Sequence, residues 1–297
     1  MKTPLFEGSC TAIITPFTKD GIDYKRLGEL LDFQVNNGTR AIVAAGTTGE
    51  SAALEIHEYK SLVDFCVKYV SGRIKVFAGI GGNNPKRCIE KAGVAADAGV
   101  NGVLVTTPYY NKTTQRGLIE FFELIADESE KPIILYNIPQ RTGMGIELDT
   151  YIRLAQHLNI NGVKEASGDA GMIARIIAEC GNDMYVWSGN DDNTVALMSL
   201  GARGVVSVAS NIIPNVVSNL CDLCLGNNFA AAAALNRKYA NFFSKLFIET
   251  NPIPIKAAMS RIGLDSGALR LPLVEISDTA REALFKCMDK VHIADAC

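Results

Sequence analysis

Eight short apolar runs rich in β-branched residues recur along this 297-residue chain. They are Cys10–Thr15, Ala41–Gly46, Lys75–Ile80, Gly102–Thr107, Pro132–Ile138, Asn161–Ala166, Met184–Gly189 and Gly204–Ser210. Their starts lie about 28 residues apart, the length of one βα unit. Each run is apolar throughout rather than alternating, the pattern of strands covered on both faces. The segments between them carry the helical period: Leu27, Leu30, Leu31 and Val35 share one face, and Leu62, Val63, Cys66 and Val70 another. Asp23, Pro85, Asp149 and Asp169 are the expected helix starts. Eight strands, each followed by a helix, predict a (β/α)8 barrel. The rival, an open doubly wound sheet, would usually place a Gly-rich phosphate turn after its first strand. Here that position holds Thr15-Pro-Phe-Thr18.

The eighth helix is expected to end near Gly226, so the barrel spans 1–226. Residues 227–297 carry three more helical patterns, near Phe229–Phe247, Ile255–Ile262 and Ser277–Val291, with Asn251-Pro-Ile-Pro254 separating the first two. They predict a helical extension packed on the barrel, with no flexible linker.

Charge narrows the partners. Against 32 acidic residues stand 29 basic ones, a net charge of −3, so no cationic face for nucleic acid or anionic membrane is expected. No run of about 18 apolar residues occurs, and MKTPLFEGSC has no secretory apolar core. A cytoplasmic protein in a reducing compartment is expected. The eight cysteines, at positions 10, 66, 88, 180, 221, 224, 287 and 297, mostly sit in apolar stretches and read as buried thiols. Cys221 and Cys224 form a lone C-x-x-C, which cannot complete a zinc site and follows no redox-type turn. With three histidines, none beside a ligand cluster, no metal and no Ser-His-Asp triad are expected.

A barrel presents its chemistry at the C-terminal ends of its strands. Lys164 ends the sixth run. An amine is a nucleophile only when deprotonated, and an apolar surrounding favours that form, so Lys164 could form a Schiff base with a carbonyl substrate. A general-base lysine and a lysine paired with Glu165 are the alternatives. Tyr136 holds the equivalent position one unit earlier and could relay protons, aided by the hydroxyls of Thr47 and Tyr110; otherwise it is a core tyrosine. Thr47 and Thr48, in a Gly-flanked turn, offer a cradle for a carboxylate or form an ordinary turn. Arg141 could hold an anionic second substrate bidentately or lie in solvent.

Gly46-Thr-Thr-Gly-Glu50, Tyr136-Asn-Ile-Pro-x-Arg-Thr-Gly143 and Gly162-Val-Lys-Glu-Ala-Ser-Gly168 together resemble the pyruvate-dependent class I aldolase superfamily, and within it the dihydrodipicolinate synthase family. The resemblance runs from Ala12-Ile-Ile-Thr-Pro-Phe17 to about Asn211, and more loosely beyond. It implies that pyruvate forms an imine with Lys164, that the derived enamine attacks L-aspartate 4-semialdehyde, and that no further cofactor is needed. Thr47, Tyr136 and Tyr110 match the family's proton-relay hydroxyls, Tyr110 being supplied by a neighbouring subunit. Thr48 matches the group on the pyruvate carboxylate and Arg141 the group on the semialdehyde carboxylate. Gly189 and Val206 match pocket-lining positions. The family's usual dimer of dimers implies a homotetramer. Sugar-acid aldolases of the superfamily share the lysine and tyrosine but usually lack the arginine. A catalytically silent keto-acid sensor is the third reading, and it would have no reason to keep Lys164 with its relay. Many family members are inhibited by lysine at an interface site. Here Ile56, Tyr59 and Arg87 replace its two histidines and a glutamate, while Asn83 and Tyr109 are retained, which implies weak or absent inhibition.

Overall fold

A computed structural model describes residues 2–293. Eight parallel strands close into one barrel: β1 Gly8–Ala12, β2 Ala41–Ala44, β3 Lys75–Gly79, β4 Gly102–Thr106, β5 Ile133–Asn137, β6 Ile160–Glu165, β7 Tyr185–Ser188 and β8 Gly204–Ser207. All eight expected runs are strands. The first begins and ends early, because Gly8 pairs with Gly204 of β8 while Ile14 leaves the ladder to donate its N–H to Asn211 Oδ1.

The helices that follow are α1 Tyr24–Asn36, α2 Ile56–Val70, α3 Pro85–Ala98, α4 Gln115–Glu128, α5 Leu148–Ala155, α6 Ala170–Cys180, α7 Thr194–Ser199 and α8 Pro214–Leu225. Asp23 and Asp169 cap α1 and α6, their carboxylates accepting from the N–H of Arg26 and Met172. Pro85 opens α3 behind the cap Asn84, and Asp149 stands in the first turn of α5 rather than at its cap. Leu27, Leu30 and Leu31 of α1 are buried, as are Leu62, Val63, Cys66 and Val70 of α2. Each such side chain contributes roughly 1.5–3 kcal/mol by leaving water. Sequence periodicity missed several small elements, among them the hairpin pairing Phe17–Thr18 with Gly21–Ile22 and the helical turn Pro139–Thr142 after β5.

Strand residues alternate between two cores. Ile42, Val76, Val103, Leu135, Val163 and Val205 face the helices. Cys10, Val43, Phe77, Leu104, Ile134, Trp187 and Val206 fill the barrel. Phe6 stacks on Trp187 at 4.9 Å, and Trp187 Nε1 donates to the Phe6 carbonyl, so the N-terminal end is plugged. Lys2 clips this segment down, its Nζ donating to the carbonyls of Ala155, His157, Ile160 and Asp183 at 2.6–2.9 Å.

Past α8 come α9 Phe229–Lys245, α10 Ile253–Arg261 and α11 Asp278–Lys290, close to the three expected patterns. The α10 helix starts at Ile253, earlier than its pattern suggested, because both prolines fall where a helix start has no N–H to lose. The extension is tied into the barrel mouth. Lys256 of α10 is fully buried and donates to Glu50 Oε1 at 2.6 Å, to the Thr15 carbonyl at 2.8 Å and to the Ala268 carbonyl at 2.6 Å. Seven cysteines are free and buried; Cys297 lies outside the described residues. Among the described residues no helix is long and apolar enough to cross a membrane.

Candidate active site

Parallel pairing sets Tyr136 of β5 directly opposite Lys164 of β6, and Asn137 opposite Glu165. Neighbouring strand residues point to opposite faces. Tyr136 and Lys164 therefore point into the mouth, each about 5% exposed, while Asn137 and Glu165 point outward. The outward pair locks the register. Asn137 Nδ2 and Ser167 Oγ donate to the Glu165 carboxylate, and the Tyr151 hydroxyl reaches it at 3.4 Å. Burial raises the Glu165 pKa, and these hydrogen bonds oppose the rise. Glu165 thus serves the ladder and does not pair with Lys164. Lys164 Nζ stands instead over the Tyr136 ring, 4.2 Å from its centroid.

A cavity of about 240 Å³ opens above this pair. Thr47, Thr48, Tyr136, Arg141, Lys164 and Gly189 all line it. Thr47 and Thr48 sit in the turn after β2. Thr15 Oγ1 donates to the Gly49 carbonyl at 2.7 Å, and Glu50, at φ 55°, anchors on Lys256 and on the Arg270 N–H. Arg141 rides on the Pro139–Thr142 turn, which Gly143 ends at φ 71°. Gly189 leaves the lysine its room: a Cβ there would lie 2.7 Å from Ala166 Cβ and 3.1 Å from Lys164 Cε.

Two expected residues stand elsewhere. Val206 is fully buried inside the barrel, and the wall that β8 contributes to the cavity is Val208, beyond the strand end. Tyr110, expected to serve a neighbouring subunit, is 93% exposed, does not line this chain's cavity and holds a left-handed backbone at φ 69°. Several lining residues were missed, among them Val208, Phe247 and Asn251. Asn251, between α9 and α10, is 6% exposed; its Nδ2 donates to Thr48 Oγ1 at 2.9 Å and its carbonyl accepts from Arg141 Nη2 at 2.8 Å. In the sequence it is only the residue before a proline, and nothing there points from the extension to the barrel mouth. A second cavity of about 300 Å³ shares Thr47, Tyr136, Arg141 and Asn251 and reaches Tyr109 and Arg270. Beside it, a groove of about 400 Å³ gathers Ile56, Asn83, Arg87, Glu90, Lys91 and Tyr109, whereas Tyr59 is buried beneath Lys91. Among the described residues no group of three or more His, Cys, Asp and Glu could hold a metal.

A closed parallel barrel with a lysine and a tyrosine paired at its C-terminal mouth marks the chain as an aldolase-type (β/α)8 lyase. Comparison with known proteins narrows this: the chain belongs to the dihydrodipicolinate synthetase family, whose model matches residues 5–291. It is 43% identical over 288 residues to the 4-hydroxy-tetrahydrodipicolinate synthase of Thermoanaerobacter sp. (strain X514), covering 97% of each chain. The crystal structure of dihydrodipicolinate synthase from Aquifex aeolicus superposes with a TM-score of 0.95 at 42% identity, covering 97% of this chain and 99% of that one. The chloride-inhibited dihydrodipicolinate synthase from Acinetobacter baumannii, complexed with pyruvate, superposes with a TM-score of 0.95 at 40% identity and the same coverage. These relatives favour the synthase reading over a sugar-acid aldolase.

Proposed function

We propose that the chain condenses pyruvate with L-aspartate 4-semialdehyde to give 4-hydroxy-tetrahydrodipicolinate, the first committed step towards diaminopimelate and lysine. The observation that carries the residue assignment is the pairing of Tyr136 with Lys164 in a mouth closed to water from below.

The chemistry follows from that pair. The Lys164 amine attacks the keto carbon of pyruvate, and the carbinolamine loses water to give an imine. The protonated imine is the electron sink that lets the methyl group shed a proton and become an enamine. Tyr136 and Thr47 carry these protons, with Tyr110 of a neighbouring subunit completing the relay. The enamine carbon bonds to the aldehyde carbon of the second substrate, and the resulting alkoxide takes up a proton. The substrate's own amine then displaces Lys164 by transimination, which closes the ring and frees the enzyme. Thr48 holds the pyruvate carboxylate by its hydroxyl, Arg141 the semialdehyde carboxylate, and Gly189 and Val208 shape the wall.

The exposed Tyr110 supports at least a dimer in which subunits complete one another's sites, and the family's usual dimer of dimers extends this to a homotetramer. Seven free buried thiols accord with the cytoplasm. In this reading the barrel over 1–226 performs the chemistry, and the extension over 227–297 braces its mouth. Incubation with pyruvate, borohydride reduction and peptide mapping test it. An adduct on Lys164 that Lys164→Ala lacks is the expected result, and no adduct on Lys164 would remove the mechanism.

A further inference from the structure

Asn251 touches both substrate-binding elements and still has an acceptor to spare. Its Nδ2 donates to Thr48 and its backbone carbonyl holds Arg141, yet its side-chain Oδ1 is buried with no partner among the described residues. The chemistry of Thr48 settles which end of the amide faces it. A hydroxyl that donates to a carboxylate must take its other hydrogen bond as acceptor, so the NH2 end of Asn251 faces Thr48 and the oxygen faces away. A buried acceptor without a donor is costly and calls for one from the ligand.

We propose that Asn251 Oδ1 receives the α-ammonium of the aldehyde substrate, which makes Asn251 a specificity-determining residue. The inference rests on the reaction proposed above. In that substrate the carboxylate and the ammonium share one carbon. If Arg141 holds the carboxylate, the ammonium falls beside the residue that holds Arg141. No carboxylate lines the 240 Å³ cavity, so the cation must be read by neutral groups. Glu50, which lines the neighbouring cavity, is committed to Lys256 and to the Arg270 N–H. A neutral amide also suits the later step. A carboxylate would hold the amine in its charged form, whereas transimination needs it to give up a proton.

The test compares aspartate 4-semialdehyde with succinate semialdehyde, the same aldehyde acid without the amino group. KM for the first and the inhibition constant of the second are measured on the full-length protein and on Asn251→Ala, with Asn251→Ser as the milder variant should alanine not fold. The parent is expected to prefer the amino substrate by about ten- to a hundredfold, the worth of a hydrogen bond to a charged group. Asn251→Ala is expected to lose most of that preference by weakening the amino substrate far more than its amine-free analogue, any shared weakening reporting the lost support of Thr48. Equal weakening of both ligands would make Asn251 merely a support for Thr48 and Arg141 and overturn the proposal. So would a parent that binds both alike. Borohydride trapping of pyruvate on the parent separates this failure from that of the reaction itself, which would show as no adduct.

Discussion

Tyr136 and Lys164 are register partners across β5 and β6, and the lysine Nζ lies over the tyrosine ring, 4.2 Å from its centroid. The ring packs against the lysine, and in the proposed mechanism the hydroxyl relays protons, so the two roles can be separated. Tyr136→Phe keeps the ring. It is expected to lower kcat by about a hundredfold or more while leaving the melting temperature almost unchanged. An unaltered kcat would assign proton transfer to another group.

Gly189 guards the lysine's space. Gly189→Ala places a methyl group against Ala166 and the Lys164 Cε. Either Lys164 shifts or β7 does. Slower imine formation with pyruvate, out of proportion to any loss of stability, is expected in stopped-flow measurements. Parent-like rates would show that the lysine has slack.

The Lys256–Glu50 ion pair lies almost fully buried between α10 and the turn after β2. Removing one partner leaves the other charge in the core. Lys256→Met is expected to cost about 3–5 kcal/mol in denaturant unfolding, and adding Glu50→Gln should recover part of it. A loss below about 1 kcal/mol would mean that water reaches Glu50.

Glu58 accepts both guanidinium arms of Arg270, at 2.7 and 2.5 Å, and this pulls its carboxyl from 4.5 down to about 2. A folded-state value below the unfolded one gives stability that is complete above the unfolded pKa and vanishes as pH falls through the folded one. The melting-temperature gap between the parent and Glu58→Gln should therefore shrink between about pH 4.5 and pH 2. A gap constant over that window would show that Arg270 gains nothing from the charge.

In the groove beside the site, Arg87 pairs with Glu90 at 2.8 Å, and Ile56 offers no polar group. Free lysine meets a like charge there. Activity assays are expected to show weak inhibition or none, and Arg87→Glu should increase it. Strong inhibition of the parent at sub-millimolar lysine would overturn this reading.

The strands were legible because a parallel barrel buries both faces and writes each strand as a continuous apolar run. The same continuity hid depth. Nothing in Gly204–Ser210 tells that Val206 lies inside the barrel while Val208 reaches the cavity. That Lys164, Tyr136, Thr47, Thr48 and Arg141 line one cavity could be anticipated because strand ends are where a barrel places its chemistry. Tyr110 carries the right residue type, but its exposure depends on a loop conformation at φ 69° that side-chain pattern does not encode. Asn251 escaped because it belongs to the extension, whose docking depends on tertiary packing alone.

The turn carrying Thr48 is fastened from the extension at two points, by Asn251 directly and by Lys256 through Glu50. A ligand that needs that turn in place therefore draws on the docking of α10. By mass action, saturating pyruvate should suppress local opening of α10 and slow amide exchange there, although the helix lies outside the barrel. Conversely, a substitution deep in the extension would register as weakened substrate affinity before the protein unfolds.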